Sequence, residues 1–287
     1  MIYDILHDMK KIAVITGASS GMGKDFALQF SDFFEADELW LIARRKENLI
    51  KVANEIEKKK ADFPEKNIPH ARAIEADISG RAGLARFNAF LNSEKLLEEK
   101  NGGITVSVLI NNAGFGTYGT FEETDISKEL DMIDLNCISL TGICGSCIPL
   151  MKKNSVIINT ASLASFLPLG NFAVYAATKS YVLSFTMALA AELSDKGIKV
   201  CALCPGPVST EFAKVASNGA RTEVRHGLPS EKVVRHCLKK ASRNKHVAIY
   251  AFKWKFKAAA SRFIGRYLGA LFTYKYCKRP NGSNGLS

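Results

Sequence analysis

The residue types best suited to chemistry in this sequence are a tyrosine and a lysine, Tyr175 and Lys179, four positions apart in a helical stretch. Side chains at this spacing share one face of a helix. A tyrosine with its ordinary pKa near 10 is a poor base at neutral pH, and a neighbouring ammonium favours the phenolate. Ser162, just past a strand-like run, can hydrogen-bond a substrate oxygen. The three side chains predict proton transfer at an oxygen, the alternative being that Tyr175 is only a core aromatic.

An alternation of strands and helices must position these side chains. Short β-branched or apolar runs predict strands at residues 12–16, 39–43, 71–75, 106–111, 156–160, 199–204 and 247–251. Helical patterns lie between them, at residues 23–34, 46–59, 80–97, 128–151, 175–196 and 230–242. Such alternation is typical of βαβ units. We therefore expect an α/β fold, with a single Rossmann-type doubly wound parallel sheet of about seven strands and helices on both faces.

A glycine-rich turn follows the first predicted strand and precedes a helix. Its glycines allow a tight turn and a close backbone approach, and the helix N-terminus supplies unpaired N–H groups for a pyrophosphate. Its GxxxGxG spacing differs from the commoner GxGxxG, and a turn of this kind can also serve only to pack helix on strand. The predicted nucleotide-binding residues of the turn are Gly17, Ser19, Ser20, Gly21, Met22 and Gly23.

The end of the second predicted strand indicates which nucleotide is bound. NAD sites place a carboxylate there for the ribose 2′-hydroxyl, whereas NADP sites use basic residues for the 2′-phosphate. Here Ala43 is followed by Arg44, Arg45 and Lys46, with no acid. Guanidinium groups form charge-assisted bonds to phosphate, and Ser19 can add a hydroxyl. We predict NADP(H), the alternative being that the arginines simply open a solvated helix.

The joint order of these motifs resembles the short-chain dehydrogenase/reductase family over about residues 10–250. The resemblance rests on the glycine turn, Asp77, Asn111-Asn112-Ala113-Gly114, Asn136, Ser162, Tyr175, Lys179 and the Pro205-Gly206 turn with Thr210. It implies that Tyr175 is the general acid/base and that Lys179 also binds the nicotinamide ribose. It further implies that Asn136 holds a water of the proton relay through its helix.

The resemblance also implies further cofactor contacts. They are Asp77 and Ile78 beside the adenine, Asn112, Ala113 and Gly114 in a cofactor-facing turn, and Pro205, Gly206, Val208 and Thr210 over the nicotinamide. For Asp77, capping of the following helix is an alternative role.

An apolar, aromatic lining is predicted for the substrate pocket, from Phe115, Tyr118, Leu163, Phe166, Leu169, Phe172 and Phe212. Such a lining suits a bulky hydrophobic substrate, although half of these side chains could instead pack into the core. The resemblance admits hydroxysteroids (bile acids included), long-chain 3-oxoacyl groups and xenobiotic ketones. We expect an NADP(H)-dependent oxidoreductase interconverting a secondary alcohol and a ketone, most of all on a hydroxysteroid or bile acid. A non-catalytic NADP(H)-binding regulator or membrane-surface scaffold is the rival.

The net charge of +11 is concentrated near the C-terminus, where residues 214–287 hold 17 Lys and Arg but only two acids, Glu223 and Glu231. We divide the chain into a catalytic domain, residues 1–251 with a substrate loop at 205–229, and a basic amphipathic extension, residues 252–287, that ends in a disordered tail from Arg279. Helical spacing puts one set of apolar residues on one side of the extension: Phe256, Ala260, Phe263, Ile264, Tyr267, Leu271 and Tyr274. Three roles could explain this basic amphipathic extension. The first is a subunit interface or pocket lid, the second is a membrane-surface contact, and the last is a nucleic-acid contact.

We expect the protein to form a homodimer or homotetramer.

Seven cysteines, an odd number, do not suggest a disulfide framework. Two CxxC pairs occur, Cys144/Cys147 and Cys201/Cys204, but residues three apart in a strand point to opposite faces. We therefore expect these cysteines to be buried as small hydrophobic side chains, and we expect no metal site. No stretch of about 20 consecutive apolar residues is present, and the N-terminus shows no signal-peptide pattern. The expected location is cytoplasmic.

Overall fold

The computed structural model describes residues 9–222, 224 and 227–282. Two segments to which predictions apply lie outside this description. They are the first eight residues, for which no signal peptide is predicted, and residues 283–287, which belong to the predicted disordered tail. Seven parallel strands form one sheet in the order β3-β2-β1-β4-β5-β6-β7. The strands are β1 Lys10–Thr16, β2 Glu38–Ala43, β3 His70–Glu75, β4 Ile104–Asn111, β5 Val156–Thr160, β6 Lys199–Leu203 and β7 Val247–Ala248. The reversal of strand order beside β1 creates a crevice at the carboxyl ends of β1 and β4.

Helices cover both faces of the sheet, which confirms the predicted doubly wound α/β fold. The helices are α1 Gly21–Gln29, α2 Lys46–Asp62, α3 Gly80–Glu98, α4 Ile126–Ile133, α5 Leu140–Cys147, α6 Ala173–Glu192, α7 Phe212–Ala216, α8 Ser230–Ser242, α9 Phe252–Ala260 and α10 Arg266–Tyr276. Buried side chains of α1, α2 and α8 form the core on one face. Those of α3, α5 and α6 form the core on the other. The five strands β1, β2, β4, β5 and β6 are largely buried on both faces, as expected of a parallel sheet, whereas the edge strand β3 is mostly half-buried.

The helix predicted for residues 128–151 is interrupted by a π-helical segment, Asp134–Ser139, between α4 and α5. The Ser139 hydroxyl donates to the Asp134 carbonyl at 2.8 Å, across the widened turn. By length and composition alone, the run Ile126–Leu150 would suffice to cross a membrane. It packs against α3, α6 and β4 in this fold, and Met132, Leu140 and Cys144 are buried. The inner side of the run therefore belongs to the core of the domain, while Ile126, Leu130 and Ile133 are exposed.

The paired cysteines are buried, as predicted. Cys201 belongs to the core on one face of the sheet, whereas Cys204 belongs to the core on the other. Cys144 and Cys147 lie with Cys204. Burial raises the pKa of Cys144 to about 12, so this thiol stays protonated and packs as a small hydrophobe.

The C-terminal extension departs from the prediction of one continuous helical face. It forms α9, a 3-10 turn at Ser261–Phe263, and α10 after Gly265. Disorder is predicted from Arg279 onward, but the structure shows contacts in this part of the tail. Arg279 donates a hydrogen bond to the Gly170 carbonyl at 3.0 Å, and the backbone N–H of Gly282 donates to the Ser217 carbonyl at 2.9 Å. The extension therefore lies across the catalytic domain.

Candidate active site

Tyr175 and Lys179 lie one turn apart on α6, and both are buried beside the carboxyl end of β5. Their exposed fractions are 7% and 4%. The Lys179 Nζ atom donates to the Thr160 carbonyl at 2.7 Å, which ties the lysine to the last residue of β5. The same atom lies 5.8 Å from the centre of the Tyr175 ring. The predicted pair is therefore brought together on one helix face.

Ser162 joins this pair from the turn that follows β5. It begins the 3-10 turn Leu163–Ser165, and its hydroxyl accepts a hydrogen bond from the Ala164 backbone at 3.1 Å. The Ser162 side chain also lies close enough to Tyr175 to lower the pKa of that tyrosine. The Ser165 hydroxyl donates to the Lys179 carbonyl at 2.6 Å, so the turn is fastened to α6. Ser162 and Tyr175 are thus placed to contact the same substrate oxygen.

Burial sets the protonation states of the pair. It raises the pKa of Tyr175, and the neighbouring Ser162 side chain opposes this only in part. Burial also lowers the pKa of Lys179 to about 8. Desolvation of the phenolate is the largest effect on the pKa of Tyr175, and the expected lowering of that pKa by Lys179 stays a prediction. At neutral pH, Tyr175 carries its proton and can donate it.

Asn136 occupies the π-helical segment and is 1% exposed. Its Nδ2 atom donates to the Phe115 carbonyl at 3.0 Å and to the Thr178 hydroxyl at 3.1 Å, and its Oδ1 atom accepts from the Phe115 backbone at 3.2 Å. The asparagine therefore fixes the loop after β4 beside α6. Its implied role in holding a relay water stays a prediction. The π turn was not foreseen, although such turns are frequent at functional sites.

The glycine turn has the geometry of a phosphate cradle. Gly17 and Gly21 have φ angles of +67° and +52°, in the left-handed region that favours glycine. A side chain at Gly23 would overlap the Gly17 carbonyl. Helix α1 begins directly at this turn, and no acidic residue lies in its first turn. Its N-terminal N–H groups and dipole therefore remain suited to an anion, which fits a dinucleotide pyrophosphate.

The turn after β4 lies against the glycine turn. The backbone N–H groups of Asn112 and Ala113 both donate to the Thr16 hydroxyl, at 3.0 and 3.1 Å. A β-carbon on Gly114 would lie 2.7 Å from the Asn136 Oδ1 atom and 3.4 Å from the Lys179 Nζ atom. The cradle and the buried lysine therefore border one cleft, as the implied cofactor contacts require.

The two arginines after β2 take different positions. Arg45 donates to the Ser19 hydroxyl at 3.3 Å and to the Ser20 hydroxyl at 2.5 Å. It also pairs with Glu211 at 2.8 Å, an acid that sequence reasoning missed. Arg44 instead lines a neighbouring cleft of about 500 Å³. Arg45 thus contacts the glycine turn, while Arg44 faces the neighbouring cleft.

The cleft beside Arg44 contains the predicted adenine-side residue Asp77 and a further cation, Arg86. Arg86 donates to the Asp77 carbonyl at 2.7 Å from one nitrogen and 3.0 Å from another. The Asp77 carboxylate accepts from the Ser79 backbone at 3.0 Å, so it also restrains the start of α3. Ile78 is buried beneath this turn. Sequence reasoning missed Arg86, which stands nine positions from Asp77 in the middle of a helical pattern.

Aromatic rings cover Tyr175 on the substrate side. The Phe172 ring stacks on it at 4.1 Å between centroids, and the Phe212 ring lies at 5.4 Å. Tyr118 meets Phe172 edge-on at 4.9 Å. Phe115 and Leu169 pack against the same group. Five of the seven predicted pocket residues therefore share one apolar environment, and their contact with a substrate stays a prediction.

The other two predicted pocket residues lie differently. Phe166 packs against the core beneath α6 and is not in the ring group around Tyr175, so its place in the pocket stays a prediction. Leu163 opens the 3-10 turn, and its backbone donates to the Pro205 carbonyl at 3.0 Å. The turn after β5 is thereby linked to the segment after β6.

The segment after β6 runs from this turn back to the glycine cradle. A β-carbon on Gly21 would lie 3.1 Å from the Thr210 side chain. Val208 forms an isolated parallel bridge with Leu228. The Trp254 ring of α9 presses on Gly206, where a β-carbon would lie 2.7 Å from it. The implied nicotinamide-side residues are thus near the cradle, and Trp254 is a neighbour that the sequence did not indicate.

Arg279 is a cation beside the substrate rings that sequence reasoning missed, because it falls in the predicted tail. Its guanidinium carbon lies 5.1 Å from the centre of the Phe172 ring. Burial lowers its pKa, while Tyr118 and Tyr175 oppose that change. Within the described part of the chain, no carboxylate is within ion-pair distance of it.

A phosphate cradle at the switch point of a parallel sheet, next to Ser162 and the buried Tyr175 and Lys179, defines a dinucleotide-dependent oxidoreductase. The family model described as "short chain dehydrogenase" matches residues 11–220, and the chain belongs to that family. The family resemblance drawn from the motifs is thereby confirmed.

Several known proteins are similar to the chain. A very-long-chain 3-oxoacyl-CoA reductase of Anas platyrhynchos is 31% identical over 211 residues, which are 71% of this chain but only 62% of that protein. A short-chain dehydrogenase from Sphingobium yanoikuyae, solved with NADPH, is 27% identical, with a TM-score of 0.70 over 88% of this chain and 94% of that one. A short-chain dehydrogenase/reductase from Burkholderia phymatum, solved with NAD, shares the fold at 21% identity, with a TM-score of 0.70 over 89% and 94% of the two chains.

Proposed function

We propose that this protein is an NADP(H)-dependent oxidoreductase that interconverts a secondary alcohol and a ketone on a bulky lipophilic substrate. The observation that carries the proposal is the placement of Ser162 beside the buried Tyr175 and Lys179 at the edge of the glycine cradle. A non-catalytic regulator would need the cradle but would have no use for a serine, a tyrosine and a lysine gathered at its edge.

The residues of the chain would share the work as follows. A nicotinamide bound along the cradle supplies or accepts the hydride. Ser162 holds the substrate oxygen, and Tyr175 gives its proton to that oxygen during reduction. Lys179, anchored to the Thr160 carbonyl, places a positive charge beside the tyrosine that stabilises the phenolate left behind.

Tyr175→Phe tests the reaction, since it keeps the ring and removes the transferable proton. We expect turnover to fall by roughly 10² to 10⁴, the usual contribution of a general acid. Affinity for NADPH should stay nearly constant. Tyr181→Phe is the matched control, because Tyr181 lies on the same helix but bonds Thr141 at 2.7 Å. Retention of more than about a tenth of the turnover by Tyr175→Phe would contradict the proposal.

Three basic groups support NADP(H) as the cofactor. Arg45 donates a hydrogen bond to the Ser19 hydroxyl, while Arg44 and Arg86 line the neighbouring cleft. Strand β2 does not end in an acidic residue. The Sphingobium relative was solved with NADPH. Arg44→Asp should weaken NADPH by roughly 10- to 150-fold, the range of a charge-assisted bond, and NADH much less. Lys51→Asp, at an exposed position on α2, is the control. Equal losses for both cofactors, or preference of the wild type for NADH, would count against the assignment.

The ring cluster supports a lipophilic substrate, and Arg279 supports one that also carries an acidic group. A half-buried guanidinium over a ring, with no carboxylate near it in the described chain, can bind an anion without breaking an ion pair, because its bond to the Gly170 carbonyl occupies only one nitrogen. Bile acids and other acidic hydroxysteroids are our first candidates. Long-chain 3-oxoacyl compounds are the second, and the name of the duck reductase favours them.

A keto acid and its methyl ester distinguish a role of Arg279 in recognition from a purely structural one. The wild type should show a lower KM for the acid, and Arg279→Met should raise that KM roughly tenfold or more while leaving the ester unchanged. Lys278→Met, which removes a cation from the ring of Tyr274, is the control. Equal effects on acid and ester would show that Arg279 only fastens the tail. Expected cytoplasmic location and subunit assembly stay predictions.

A further inference from the structure

The C-terminal extension buries its small residues and exposes its large apolar ones. Ala258, Gly269 and Thr273 are its buried positions within α9 and α10. Phe263 is 91% exposed and Phe252 82% exposed. The other exposed large apolar residues of the segment are Phe256, Ile264, Tyr267, Leu268, Phe272, Tyr274 and Tyr276. A helix on a soluble domain has the opposite arrangement, with its apolar side on the core.

The same segment is strongly basic. Between residues 252 and 276 it carries Lys253, Lys255, Lys257, Arg262, Arg266 and Lys275, and no acid. Lys253 and Lys257 each lie 4.9 Å from the Trp254 ring. No carboxylate in the described regions pairs with any of the six. We call the exposed aromatic and basic residues of 252–276 the extension face.

The extension face is fastened to the substrate side of the domain. The Gly170 backbone donates to the Thr273 hydroxyl at 2.9 Å, and the Asn171 side chain donates to the Tyr274 carbonyl at 3.0 Å. A β-carbon on Gly170 would lie 2.7 Å from the Tyr274 Cα atom, so the backbones meet closely here. The loop held in this way carries Phe172, the ring stacked on Tyr175. A surface bound by the extension face would thus lie next to the substrate pocket.

We propose that the extension face docks the protein on an anionic lipid bilayer. Exposed aromatic rings flanked by lysines and arginines suit the boundary between headgroups and acyl chains, where rings insert and cations meet phosphates. A second copy of the chain is a poorer occupant, since a symmetric contact would bring six unpaired cations against six like charges. Nucleic acid would satisfy the cations but would leave the aliphatic residues exposed. The inference concerns binding only and does not depend on the proposed reaction.

Co-sedimentation of the full chain with vesicles tests the proposal. We expect binding to vesicles of equal parts phosphatidylcholine and phosphatidylglycerol, much weaker binding to phosphatidylcholine alone, and loss with added salt. A basic residue near an anionic surface contributes about fivefold in affinity, so Lys253, Lys255 and Lys257 changed together to Gln should weaken binding on the order of 100-fold. The matched control changes the exposed α2 lysines Lys51, Lys58 and Lys60 to Gln.

A second pair of variants separates insertion of rings from simple charge attraction. Phe263→Ser with Tyr267→Ser should weaken binding at least tenfold, because each loses a buried apolar side chain in the bilayer. Leu96→Ser with Leu97→Ser, at an equally exposed site on α3, should leave binding unchanged. Unchanged thermal melting and turnover of a small soluble ketone would show that all variants are folded.

Three outcomes would overturn the proposal. One is no binding of the wild type to the anionic vesicles. Another is binding that the control variants weaken as much as the extension variants do. The third is that the wild type self-associates but does not bind vesicles, and that the extension variants no longer self-associate. This result would assign the extension face to contact with a second copy of the chain.

Discussion

Lys179→Met should make the cofactor-free protein more stable at neutral pH while it abolishes most of the activity. Lys179 is 4% exposed, and in the described chain its ammonium has one hydrogen-bond acceptor, the Thr160 carbonyl at 2.7 Å. Burial lowers its pKa from the usual 10.5 to about 8. A difference of this size corresponds to about 3 kcal/mol of destabilisation of the charged folded state. The Lys179 ammonium is therefore held in place against a free-energy penalty.

The sign of the pH dependence follows from which state binds more protons. Below about pH 8, folded and unfolded chains both carry the proton, and the penalty is fully present. As pH rises from 8 towards 10.5, the folded state releases the proton before the unfolded state does, so the wild type gains stability. The methionine variant lacks this gain. Its advantage should therefore be largest near pH 7 and should disappear at the alkaline end of this range.

Denaturation by urea at several pH values measures the effect. Removal of the ammonium leaves the Thr160 carbonyl without its donor, which costs about 1–3 kcal/mol, so the net gain at pH 7 is about 0–2 kcal/mol. Lys196→Met, at an exposed position just after α6, should show no such pH-dependent difference. A difference between Lys179→Met and the wild type that stays constant across the pH range would refute the reasoning.

Three further predictions concern the site and its surroundings. Burial raises the pKa of Tyr175, and alcohol oxidation needs the phenolate, so the rate of oxidation should rise about tenfold per pH unit through the neutral range. The rate of reduction should stay constant over the same range. Equal pH profiles for oxidation and reduction in initial-rate assays would count against this reasoning. Asn136→Ala should lower kcat roughly 10- to 100-fold through loss of buried hydrogen bonds, with little change in NADPH affinity. Gly170→Ala should detach α10 and accelerate tryptic cleavage of the extension, whereas Gly145→Ala, with nothing within 4 Å, should not.

The sheet could be predicted because parallel strands buried on both faces are continuous apolar runs. Strand β5 and helix α8 have the predicted bounds, Val156–Thr160 and Ser230–Ser242. Prediction failed where tertiary contacts decide the conformation. The π turn at Asp134–Ser139 depends on contacts of Asn136 with a distant loop. Strand β7 was predicted too long, since only Val247–Ala248 pairs with β6.

The reacting groups were predictable because their spacing is local. Tyr175 and Lys179 need only one helical turn to meet, and Ser162 needs only the end of a strand. The cofactor side is harder, since neighbouring residues such as Arg44 and Arg45 point in different directions, and nothing in the local sequence says which one turns towards Ser19. Glu211 completes that contact from a segment more than 160 positions away.

Periodicity identified a distinct apolar side in the extension, but it could not say whether that side is buried. Close contacts between the extension and the domain decide which side is buried. Gly269 lies against the Leu167 side chain, and Gly170 lies against Tyr274. Both contacts require small residues on the inner side of the extension. The larger residues are left to point outward. The sheet already has a complete core on each face without them. An apolar patch of this extent on an otherwise finished domain indicates an environment other than water alone, and the surrounding cations favour one that is negatively charged.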